Sequence, residues 1–95
     1  MTTIYKYPIY PVRSQTVQIP WGAKILSVQV VEDQPVIYAL VDSQKTPVPF
    51  TIFIFGTGWD LEEGNTWGSG LPLDIHFVGT FQQPEEKLVW HVFYS

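Results

Sequence analysis

The sequence predicts an all-β fold: one small antiparallel β-sandwich or barrel of about seven strands, with no substantial helix. Three observations carry that expectation. Short runs of alternating apolar and polar side chains recur along the chain, and none keeps a helical period over three turns. β-Branched and aromatic residues fill those runs, and prolines and glycines punctuate them. Hydrophobic residues make up 45% of the 95 and aromatics 16%, too apolar for a disordered chain and too short for a second core.

Each element follows in order. TIYKYPIY, residues 3–10, is rich in strand formers, but Pro8 and Pro11 restrict it to an edge or a bulge. QTVQI, 15–19, alternates with Val17 and Ile19 inward, and Pro20-Trp21-Gly22 then makes a turn. KILSVQVV, 24–31, and PVIYALVD, 35–42, flank the polar hairpin loop Glu32-Asp33-Gln34. In the first of these, Leu26, Val28 and Val30 are expected to share one face. The second is apolar on both faces and reads as a central strand. SQKTPVP, 43–49, reads as a loop by its prolines, and FTIFIFG, 50–56, as another strand apolar on both faces. PLDIHFVGTFQ, 72–82, and KLVWHVFYS, 87–95, form a last hairpin around Gln83-Pro84-Glu85-Glu86. The first and last strands are the expected edges, through which a homo-oligomer can form.

Charge and composition exclude several functions. A net charge of −4 with only five Lys and Arg disfavours long nucleic acid, whose binders draw their affinity from cations on phosphate. A small anionic or nucleotide-like ligand needs only one or two cations and some backbone N–H groups. The absence of cysteine removes disulfides, thiolate metal sites and thiol catalysis. No apolar run reaches the ~20 residues of a membrane helix, and MTTIYKYPIYPVR lacks the form of a signal peptide. A cytoplasmic protein without cofactor is therefore expected.

The strings IYKYPI, QTVQIPWGAKILSVQVV, VIYALVD, the GTG after FIF, VGTF and VWHVF span nearly the whole length. In that order they resemble a family of short, uncharacterised phage and prophage proteins. The resemblance implies a small accessory protein in the host cell cytoplasm, and it brings no assigned catalytic or binding residues. By analogy, such proteins block host defences.

Several residues are candidate sites. FIFGTGWDLEEGNTWGSG, 53–70, holds five glycines and two tryptophans. It lacks the third glycine of a dinucleotide fingerprint, where Leu61 stands, and it has no GK[ST]. Gly56 and Gly58 can still present N–H groups as an anion nest, with Trp59 and Trp67 stacking on a base. The alternative is a surface loop whose tryptophans pack back on the fold, with Asp60, Glu62 and Glu63 repelling phosphate. Arg13, Trp21 and Lys24 make a second anion patch if the turns before and after 15–19 meet at one end. His76 and His91, with Asp74, become metal candidates if the last hairpin sets them on one face. No nucleophile or oxyanion device accompanies His76, so no enzyme is expected.

Three roles fit these features. One is a sponge that sequesters a nucleotide-derived defence signal without turning it over. Another is direct inhibition of a host protein through Trp59, Trp67 and an edge strand. A third is a minor structural or assembly component of a phage.

Overall fold

A computed structural model describes residues 1–59, 75–83 and 87–95. Its seven strands are β1 (Thr2–Pro8), β2 (Ser14–Pro20), β3 (Lys24–Val31), β4 (Gln34–Asp42), β5 (Pro47–Gly56), β6 (His76–Phe81) and β7 (Trp90–Tyr94). They form two antiparallel sheets, ordered β1-β4-β3 and β2-β5-β7-β6, that do not close into a barrel. Both strands read as apolar on two faces, β4 and β5, have a neighbour on each side. The last strand is not an edge, because β7 lies between β5 and β6.

Alternation places the core between the sheets. Ile37, Ala39 and Val41 of β4 face Ile19 of β2, Ile52 and Ile54 of β5 and Val92 of β7, with Trp90 and Phe81 closing one end. Ile9, just past β1, is fully buried among them. Burying such an aliphatic side chain contributes roughly 1.5–3 kcal/mol, so this layer supplies most of the drive to fold.

Two bulges break the expected alternation. In β3, Ile25 pairs with Ala39 and Ser27 with Tyr38, so Leu26 is the extra residue and turns outward. It therefore leaves the inward face of Val28 and Val30, where the alternation had set it. In β6, Phe77 pairs with Phe93 and Gly79 with Val92, which makes Val78 extra.

Strand β5 begins at Pro47, inside the segment expected as a loop. Thr51 exchanges backbone hydrogen bonds with Ser95, so odd-numbered N–H groups of β5 point toward β7. Pro47 and Pro49 share that direction, and β7 ends before reaching them. Neither proline removes a ladder bond, which is why both sit in a strand.

The turns follow their residues. Ala23 N–H donates to Pro20 C=O (3.1 Å) with Gly22 at φ 81°, a type II turn around Trp21. The β3–β4 loop has two central residues, Glu32 and Asp33, at φ 50° and 66°. That is a type I′ hairpin built without the Asn or Gly it favours. The double variant Glu32→Asn/Asp33→Gly is expected to stabilise the fold by about 1 kcal/mol, measured as a higher melting temperature.

Candidate functional site

The two sheets meet differently on their two flanks. On one flank β3 abuts β6 so closely that a Cβ on Gly79 would stand 2.9 Å from Val28 Cγ1. There the two edges, β3 and β6, pack against each other although each is hydrogen-bonded to one strand only among the described residues. On the other flank lie β1 and β2, each paired on one side only among the described residues.

Residues 9–13 hold these two edges together by carrying the chain from one sheet to the other. Gln15 clamps this crossover, accepting from Tyr10 N–H (3.0 Å) and donating to Tyr10 C=O (2.7 Å). Gln34 adds a bond from its Nε2 to Ile9 C=O at 2.8 Å.

Hydrogen-bond alternation fixes what each edge offers. Ile9 N–H donates to Pro35 C=O, and Ser43 N–H to Met1 C=O, so odd residues of β1 face β4. The even residues Thr2, Ile4 and Lys6 direct N–H and C=O outward, and Pro8, which has no N–H, ends the row. In β2, Trp21 N–H donates to Thr46 C=O and Arg13 C=O accepts from Ile54 N–H. Ser14, Thr16 and Gln18 are therefore the outward residues there, and Pro20 ends that row. Each edge is a short template for an added strand.

The side chains beside the two edges differ. On the outer face of the three-stranded sheet, Ile4 (56% exposed) stands opposite Leu40 (37%), and Leu26 (41%) joins them through the β3 bulge. Further along this face Lys6, Pro8, Val31, Glu32, Gln34 and Val36 line a shallow open groove of about 250 Å³. The outward side chains of β2 are polar. At the end of β2, Trp21 is 63% exposed, with Lys45 Nζ 5.8 Å from its ring centre. On the inner face of β1, burial and then the neighbouring Tyr5 hold the Tyr7 hydroxyl above its ordinary pKa.

The anion sites expected from the sequence are not assembled among the described residues. Arg13 and Trp21 flank the two ends of β2, eight residues or about 26 Å apart, so they form no common patch. Lys24 stands on β3 opposite Leu40. Around the expected nest at Gly56 and Gly58, the intervening Thr57 N–H donates to Val89 C=O (3.0 Å) and the following Trp59 N–H to Gly56 C=O (3.2 Å), so neither is turned to a ligand. Gly58, at φ 85°, serves that tight turn.

Trp59 packs back on the fold. Its ring meets Trp90 edge-on at 5.3 Å, and the Arg13 guanidinium covers it at 5.1 Å. A Cβ on Gly56 would stand 2.6 Å from the indole Nε1, so glycine is what lets the ring lie there. Trp67 and Asp74 lie outside the described residues.

The histidines do not share a face. The Val78 bulge pairs His76 with Tyr94, one residue out of the register of a hairpin centred between Pro84 and Glu85, and Thr80 with His91, two residues out. His76 stacks on Tyr94 at 5.1 Å, whereas His91 Nε2 meets the Thr57 hydroxyl at 2.6 Å on the other face. Among the described residues no three His, Asp or Glu side chains are grouped to hold a metal. No helix of the described residues is long and apolar enough to cross a membrane.

The sequence reading missed Ile4, Leu26 and Leu40. The first carried a signal, since Ile4, Lys6 and Pro8 share one phase of β1 with a residue that cannot donate. Neither the curated proteins nor the solved structures offer a match to this chain. One family profile, described as a domain of unknown function (DUF7352), matches residues 1–95, and the chain belongs to that family.

Proposed function

We propose that this chain is a non-enzymatic binding module that engages a host protein by strand addition. The open flank carries the reading, with the β2 edge as the docking row. Ser14, Thr16 and Gln18 offer backbone donors and acceptors to one extended segment. Their polar side chains favour a segment whose own side chains on that face are polar. Trp21, exposed at the end of this row, is the large residue available as an energetic anchor. The resemblance to small phage accessory proteins supports a bacterial host protein as the partner and the host cytoplasm as the place of action.

Sequestration of a nucleotide signal fits the geometry less well, because its cations and aromatic rings fall in two separate pairs, Arg13 with Trp59 and Lys45 with Trp21, beyond opposite ends of β2. A catalytic reading has the Thr57–His91 contact, but the backbone N–H groups of Thr57 and Trp59 beside it are already bonded to carbonyls.

Capture from host lysate, compared across variants and quantified by mass spectrometry, tests the proposal. Thr16→Pro deletes an outward donor that no described residue accepts from, and it is expected to abolish capture of the partner. Trp21→Ala is expected to weaken capture at least tenfold, a loss of about 1.4 kcal/mol or more, while changing stability by less than about 0.5 kcal/mol. A melting-temperature screen with cyclic di- and trinucleotides is expected to give no shift. A shift of several degrees there, together with capture indifferent to Thr16→Pro, would replace this proposal with the sponge.

A further inference from the structure

We infer that the β1 edge takes a second copy of this chain, in a two-fold antiparallel pairing centred on Ile4. The inference rests on the open-flank reading above, and it leaves the β2 edge of each copy for the host partner. Self-complementarity carries it. When two β1 edges run antiparallel, Ile4 exchanges both backbone bonds with the second copy's Ile4. Thr2 then does so with the second copy's Lys6. Every outward donor of the strand finds a carbonyl. A slip of one bonded pair toward Pro8 would set Ile4 against the second copy's Lys6 and bring Pro8 into the ladder, where it has no N–H to give.

The side chains favour the same register. Lys24, Leu40 and Ile4 form one row across the outer face of the sheet. Across the two-fold axis that row continues with Ile4, Leu40 and Lys24 of the second copy. Exposed aliphatic side chains then cover one another in the middle, and the charges stay at the ends. The second copy's Lys6 comes to lie two strands from Asp42, about 9.5 Å, within reach of an extended lysine. The β2 edge has no such apolar row. The pairing uses the β1 edge of both copies and so closes at two.

Light scattering on the purified chain at about 0.1 mM tests this, a concentration suited to a small edge-to-edge interface. The expected mass is twice 10.9 kDa. Ile4→Pro removes an N–H that points away from β4, so it is expected to keep the melting transition and return the mass of a single copy. Ile4→Lys keeps the N–H, places like charges across the axis and is expected to weaken association at least about tenfold. It decides the matter should the proline variant fail to fold. Thr16→Pro is expected to leave the dimer intact, so loss of partner capture in that variant alone separates the two proposals. A single-copy mass for the unaltered chain would overturn the pairing, and so would a dimer that survives both Ile4 variants.

Discussion

Replacing Trp59 with alanine is expected to lower folding stability by about 3 kcal/mol and the melting temperature by more than about 10 °C. The sequence places this tryptophan in a glycine-rich loop, where its loss would cost binding and little stability. Its packing argues the opposite. The ring lies edge-on to Trp90, itself stacked with Phe81 at the end of the core, and the Arg13 guanidinium covers it. Truncation removes apolar contact from that column and leaves Trp90 open to water. Gly56→Ala is the converse experiment, pushing the ring out by filling its floor, and is expected to cost about 1–3 kcal/mol. Urea denaturation reads both. A loss below about 0.5 kcal/mol for Trp59→Ala would return the residue to a role on the surface.

The second large effect is a contrast between neighbours on β2. Val17→Pro is expected to cost at least about 3 kcal/mol, and Thr16→Pro less than about 1 kcal/mol. Both residues lie in the same edge strand, and both substitutions impose the same φ. The difference lies in where the N–H points. By the alternation set by Trp21 and Arg13, Val17 donates to β5 opposite Phe50, whereas Thr16 points out of the molecule. Val17 also packs its side chain against the core, which adds to the loss. Equal losses at the two positions would mean that the outward row is already paired, and the open flank would fall.

Much of the fold was legible in the sequence, because alternation and turn residues act locally. Strands apolar on both faces predicted β4 and β5 as central, and Pro8 marked β1 as an edge. What escaped depends on tertiary pairing. Leu26 and Val78 are single extra residues, and nothing in their type announces a bulge. One of them is enough to put His91 on the face opposite His76. Pro47 and Pro49 read as loop residues because their acceptability in a strand depends on where β7 stops. The candidate site was less legible still. A patch of Arg13 and Trp21 requires two turns to meet, and a full strand of extended chain separates them. Ile4 was visible only as an edge residue, and its apolar partner Leu40 comes from a strand more than thirty residues away.

Amide hydrogen exchange, followed residue by residue by NMR on the dilute chain, tests the open flank most directly. Exchange of Thr16 and Gln18 is expected at rates near those of an unfolded chain, between slow neighbours at Val17 and Ile19. Ile4 and Lys6 are expected to exchange fast when dilute and to gain protection as concentration rises, while Tyr5 and Tyr7 stay slow throughout. Protection at Thr16 and Gln18 in the isolated chain, equal to that of Val17 and Ile19, would contradict an open β2 edge and the binding role built on it.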